Sequence, residues 1–117
     1  MVVTGRREEP LRGMVQTIEQ AGGQALAVAG SMTDEAHVRA AVSGTVTTFG
    51  GLTTLISNAG VLIFGKLLRE VDDQAWDNML AVNLTGVFRM TRAALPAMIQ
   101  AGGGGIVNIS ALDGQLV

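Results

Sequence analysis

Short apolar runs rich in β-branched residues alternate along the chain with longer segments in which apolar residues recur at helical spacing. The short runs predict four β-strands, at residues 1–4, 25–29, 52–57 and 106–110. The longer segments predict three helices. The first begins near Pro10, the second is capped by Thr33, and the third extends from Trp76 to Met98.

The order of these elements is βαβαβαβ, and the helical segments are long enough to connect parallel strands. This order predicts an α/β fold, a partial doubly wound and Rossmann-like parallel sheet, within one domain over residues 1–117. In such sheets ligands bind beyond the carboxyl ends of the strands. The residues that follow each predicted strand are therefore the first candidates for a functional site.

Composition narrows the function classes. The net charge of −2 argues against binding to nucleic acid or to an anionic membrane surface. Without cysteine and with one histidine, the chain has no disulfide, thiolate metal site or histidine-rich metal site. No apolar run reaches membrane-spanning length, and charges appear too early for a signal peptide, so we expect a cytoplasmic protein. A mean hydropathy of +0.38 suits a sheet covered on both faces, or a piece of something larger.

Two arginines, Arg6 and Arg7, follow the first strand. Planar guanidinium groups at this position can hold a phosphate through paired hydrogen bonds. The alternative is a solvated basic turn in which the arginines pair with Glu8 or Glu9, and local sequence favours this simpler interpretation.

The turns after the other strands carry small and polar residues. Each can contact a ligand or simply turn the chain, and local sequence does not decide between the two roles. These candidates are Ser31 after the second strand, Asn58, Ala59 and Gly60 after the third, and Ser110 after the fourth.

Asn83 lies on the predicted apolar face of the long helix, in line with Trp76, Leu80 and Val87. A buried amide without partners costs about 1–3 kcal/mol, so this side chain must find hydrogen bonds. It is either a core asparagine bonded to backbone or one that holds a water or a catalytic lysine near a cofactor.

The order and spacing of three motifs resemble the short-chain dehydrogenase/reductase family. Residues 58–60 (NAG) resemble the family's N-N-A-G turn, with Ser57 in place of the first asparagine. Residues 81–88 (AVNLTGVF) are similar to its central helix with the N-x-x-G motif, and residues 105–110 (GIVNIS) resemble the strand before the catalytic serine. The resemblance covers essentially the whole chain.

This resemblance implies an NADP-dependent oxidoreductase that interconverts a small-molecule carbonyl and an alcohol by hydride transfer and forms homo-oligomers. Arg6 and Arg7 would read the adenosine ribose, and Gly5 stands where NAD-preferring members carry an acid, although NAD remains an alternative. Asn83 and Ser110 would be catalytic. The other candidates, all at strand ends, would contact the cofactor: Ser31, Asn58, Ala59 and Gly60.

Several departures from the family pattern accompany the resemblance. The glycine-rich turn that precedes this region and the Y-x-x-x-K pair that follows it are absent from the 117 residues, which contain no tyrosine. Ala111 stands at the family's serine position, one residue after Ser110, and Ser31 replaces an aspartate. We therefore expect an inactive fragment of such an enzyme. The alternative is a truncated relative that acts as a binding or assembly module.

The family order also implies that a central strand precedes this region. By that analogy, the strands at residues 25–29 and 52–57 would flank it.

Overall fold

The computed structural model of the protein describes residues 1–110. Its β-strands are β1 (Val2–Gly5), β2 (Leu26–Ala29), β3 (Thr54–Ser57) and β4 (Gly105–Asn108). Its α-helices are α1 (Glu8–Gln20), α2 (Glu35–Phe49), α3 (Asp73–Leu80) and α4 (Val87–Gln100). The alternation of strands and helices confirms the predicted α/β fold, and the strand bounds differ from the predicted ones by at most two residues.

The strands form two parallel pairs, β1 with β2 and β3 with β4. Gly5 pairs with Ala29 at the end of the first sheet, and Ser57 pairs with Asn108 at the end of the second. Because the strands of each pair run in the same direction, the residues that follow them lie side by side at one edge. The topology therefore brings the predicted site residues together in two neighbouring groups.

Helices α1 and α2 cover opposite faces of the first sheet. Each contacts both β1 and β2, and no contact joins α1 to α2. Connections between parallel strands are almost always right-handed. Because α2 lies on the face opposite α1, a right-handed connection through α2 leads to the side of β2 on which β1 lies, and this rule predicts β3 on the β1 side. By this rule β1, rather than the strand at residues 25–29, is expected to lie on the side of the second sheet.

The core lies between α2, α4 and the two sheets. Val38 and Ala41 of α2 pack against Met90 of α4, with Leu55 of β3 and Val28 of β2 at the edge of this cluster. Ala94 and Met98 extend the buried stripe along α4. The buried residues of α2 lie in its first half, and Val46 near its end is 36% exposed.

Two local features differ from the sequence predictions. The cap of α2 is Asp34 rather than Thr33, because the Asp34 carboxylate accepts a hydrogen bond from the amide of Ala36 at 2.9 Å. The long third helix is interrupted by a π-helical segment, Ala81–Gly86, that joins α3 to α4. None of the helices in residues 1–110 has the length and apolar character needed to cross a bilayer.

Candidate functional site

Arg6 and Arg7 follow β1 directly and are exposed. Glu8, which the simpler interpretation paired with them, instead bonds Arg12 one helical turn further on, at 2.7 Å. Within residues 1–110, neither Arg6 nor Arg7 takes part in an ion pair. Both guanidinium groups therefore keep their hydrogen-bond donors available for an anion at this edge of the first sheet.

Ser31 follows β2 and uses its hydroxyl to turn the chain. Its Oγ accepts a hydrogen bond from the amide of Thr33 at 3.2 Å and lies 2.8 Å from the Thr33 hydroxyl. The carbonyl of Thr33 in turn accepts a hydrogen bond from Arg89 of α4, at 2.8 Å. The structure thus shows an ordered turn at this position, and contact between Ser31 and a cofactor stays a prediction.

Gly86 lets the π-helical segment approach this same turn. It is buried, and a β-carbon there would lie 3.1 Å from Cβ of Met32 and 3.3 Å from the carbonyl oxygen of Ala81. Such distances are shorter than ordinary packing, so a larger residue would push the helix away from the turn. The glycine of the N-x-x-G motif therefore fixes the distance between the long helix and the Ser31 turn.

The residues after β3 belong to the edge of the second sheet. Ser57, the last residue of the strand, is buried, and its Oγ has no hydrogen-bond partner among the residues that the structure describes. Asn58, Ala59 and Gly60 are exposed. The small side chains of Ala59 and Gly60 leave the backbone accessible, which permits a flat ligand to lie close against it.

Asn83 fixes the loop that continues from Gly60. Its Nδ2 donates to the carbonyl of Val61 and its Oδ1 accepts from the amide of Val61, both at 2.8 Å. The prediction of a buried amide is wrong, because Asn83 is exposed, as is Trp76 of the same stripe at 44%. The interpretation as an asparagine bonded to backbone agrees with the structure. The π-helical segment presents this side chain to the loop, a feature often found at functional sites.

Ser110 ends the described part of the chain. It is exposed and follows Ile109, whose amide donates to the carbonyl of Ser57 at 2.9 Å. The two turns after β3 and β4 are thus joined at the edge of the second sheet. Ala111, the competing serine position, lies outside the described residues.

Sequence reasoning used His37 only to argue against a histidine-rich metal site, but the structure gives it a central position. The residue is 6% exposed, and its Nε2 lies 2.7 Å from Oγ1 of Thr4 in β1. A β-carbon at Gly30 would overlap the imidazole ring. The available signal was a single histidine beside the apolar residues Val38 and Ala41 on one helix.

A groove of the described surface lies elsewhere, between α2 and α4. It is lined by Val38 and by the charged residues Glu35, Arg39 and Arg92, and by none of the predicted site residues. Glu35 lies 3.3 Å from Arg39 and 3.5 Å from Arg92, in exposed ion pairs of small energetic value. The strand ends therefore remain the better candidate site, since their positions follow from the parallel topology.

Comparison with known proteins identifies the family. The family model described as short chain dehydrogenase matches residues 1–116. The chain is 40% identical over 115 residues to a 2,5-dichloro-2,5-cyclohexadiene-1,4-diol dehydrogenase of Sphingobium indicum, covering 98% of this chain and 46% of that protein. It is 42% identical over 107 residues to an uncharacterized NAD-dependent oxidoreductase of Mycobacterium tuberculosis, covering 91% of this chain and 38% of that protein.

A solved structure extends the likeness to three dimensions. A metagenomic short-chain oxidoreductase in complex with NADP superposes with a TM-score of 0.89 at 37% identity, over 99% of this chain and 52% of that one. The chain thus spans about half the length of the proteins it matches. The family match, the sequence identity and the shared arrangement of strands and helices agree, and the chain belongs to the short-chain dehydrogenase family.

Proposed function

We propose that this chain supplies the adenosine-binding side and part of the catalytic scaffold of an NADP-dependent oxidoreductase that interconverts a carbonyl and an alcohol by hydride transfer. The observation that carries the proposal is the pair Arg6 and Arg7, exposed and free of ion pairs within residues 1–110, at the carboxyl end of β1. The names of the similar proteins, a diol dehydrogenase and an oxidoreductase, support this chemistry over a non-catalytic module.

The choice of NADP rests on charge. The similar proteins leave the cofactor open, because one is named NAD-dependent and another was crystallised with NADP. A 2′-phosphate is an anion that two guanidinium groups match with several charge-assisted hydrogen bonds. An acidic side chain would accept from a ribose hydroxyl and repel that phosphate, but Gly5 offers no side chain at this position.

The residues at the strand ends fit the rest of the cofactor. Ala59 and Gly60 would line its adenine and ribose side, with Asn58 as a neighbouring hydrogen-bonding group. Asn83 holds the loop that carries them through its two hydrogen bonds to Val61. When bound, the nicotinamide ring donates or accepts the hydride.

Ser110 would donate a hydrogen bond from its hydroxyl group to the substrate oxygen, where negative charge develops. Reduction of a carbonyl also requires a proton for that oxygen. The 117 residues include no tyrosine, the family's proton donor. We therefore propose that this chain by itself does not turn over substrate.

Adenosine monophosphates test the proposal, because they require only the adenosine side of the site. We expect the 117-residue chain to bind adenosine 2′-monophosphate more tightly than adenosine 5′-monophosphate by roughly 10- to 100-fold, the value of one good charged contact. Replacement of both Arg6 and Arg7 by alanine should abolish this preference. Arg12→Ala is the matched control, since Arg12 already pairs with Glu8. Equal affinities for the two nucleotides, or a preference that survives the double replacement, would refute the assignment.

A further inference from the structure

His37 is the one ionisable side chain found buried within residues 1–110, and apolar neighbours surround it along α2. Packing alone does not require a ring nitrogen there, because Val38 and Ala41 fill the same helix face with carbon. Burial of a polar group costs free energy unless it is hydrogen-bonded. The bond between His37 Nε2 and Thr4 Oγ1, at 2.7 Å, is therefore the feature that an apolar residue would lack.

The imidazole ring contacts two residues, Thr4 and Gly30, and both lie at the carboxyl ends of the strands of the first sheet. Thr4 precedes Gly5 and the two arginines, and Gly30 separates the end of β2 from Ser31. The amide of Gly30 also donates to the carbonyl of Gly5 at 2.8 Å, which joins the two strand ends directly. The ring touches this junction from within the core, because a β-carbon at Gly30 would overlap it.

We propose that His37 is a positioning residue for the nucleotide site. It holds the end of β1, and thereby the arginines that follow it, in the arrangement that binds the 2′-phosphate. This inference rests on the proposed function and adds a residue that touches neither cofactor nor substrate. The proposed role depends on the hydrogen bond of the His37 ring nitrogen and not on the volume of the side chain.

The test compares the preference for adenosine 2′- over 5′-monophosphate in variants of the 117-residue chain. His37→Leu keeps the volume but loses the hydrogen bond, and should reduce the preference about three- to tenfold. Thr4→Val removes the same bond from the strand side and should give a similar reduction. The double variant should lose no more than either single variant, and His37→Gln, whose amide can reach Thr4, should restore part of the preference.

Val38→Ala is the matched control, because it weakens the core next to His37 without removing a polar contact. It should lower the unfolding temperature and leave the nucleotide preference unchanged. If His37→Leu does not fold, Thr4→Val alone decides, since Thr4 is an exposed residue of the strand.

The outcomes separate the two proposals. A wild-type chain without a preference for the 2′-phosphate would overturn the proposed function, and the role of His37 with it. A wild-type preference that His37→Leu and Thr4→Val leave unchanged would overturn only the role of His37. A preference reduced equally by Val38→Ala would also overturn it, because general loss of stability would then explain the effect.

Discussion

In the first sheet the end of β1 is fixed from inside the core by His37, whereas in the second sheet the loop after β3 is fixed from outside by Asn83. The His37 contact is made by a residue that is 6% exposed. The two Asn83 contacts are made by an exposed residue on a π-helical segment. Both edges carry predicted ligand-binding turns, but a buried side chain holds the first edge and an exposed side chain holds the second.

The difference determines how sensitive each edge is to substitution. The hydrogen bond of His37 is partly buried, so water replaces a lost partner less readily there than at the exposed Asn83. Exposed hydrogen bonds compete with water, and each contributes less. The first edge should therefore respond strongly to changes in packing, and the second should respond mainly to loss of the Asn83 amide.

The largest expected effect comes from Gly30→Ala. The added methyl group overlaps the imidazole of His37, and the ring must leave its position beside Thr4. Overpacking of this kind costs about 2–3 kcal/mol of unfolding free energy. Urea denaturation measures the loss.

Gly44→Ala in α2 is the matched control, because its β-carbon would lie 3.7 Å from Leu26, an ordinary contact. We expect it to be neutral or to stabilise the helix by up to about 1 kcal/mol. Adding His37→Ala to Gly30→Ala removes the overlap, so the double variant should lose less than the sum of the two single variants. Strict additivity would show that the ring does not occupy the space beside Gly30.

A smaller effect is expected for Asn83→Ala, which removes both hydrogen bonds to Val61. Two exposed bonds predict a loss of about 1–2 kcal/mol. Hydrogen exchange at the Val61 amide should accelerate, since that amide loses its acceptor. Asn78→Ala in α3 is the control, because no hydrogen bond of the Asn78 side chain is found within residues 1–110. Unchanged exchange at Val61 would contradict the assigned role of Asn83.

The smallest changes in unfolding free energy are expected for two hydroxyl residues near the strand ends, Thr4 in the first sheet and Ser57 in the second. Thr4→Val leaves His37 without its partner and should cost about 1 kcal/mol. Ser57→Ala removes a buried hydroxyl that has no partner in the described part of the chain, and should change stability by less than about 0.5 kcal/mol. Thermal melts of both variants measure the contrast. A larger loss for Ser57→Ala than for Thr4→Val would reverse our view of the two edges.

Much of the fold was predictable because its signals are local. Strand and helix periodicity predicted the correct order of elements. The boundaries were less accurate: Asp34 caps α2 in place of Thr33, since either side chain can serve and the backbone geometry decides. The π-helical segment has no comparable periodic signal, so the stripe from Trp76 to Met98 read as one helix.

The sequence by itself determined the class of fold, the family, and the positions of Arg6, Arg7 and the turns at the strand ends, because these depend on spacing along the chain. The tertiary structure decided that Asn83 bonds Val61 and that His37 bonds Thr4, 33 positions away. Such contacts depend on how helices cross the sheets, and the crossing brings together residues whose local sequences carry no sign of each other.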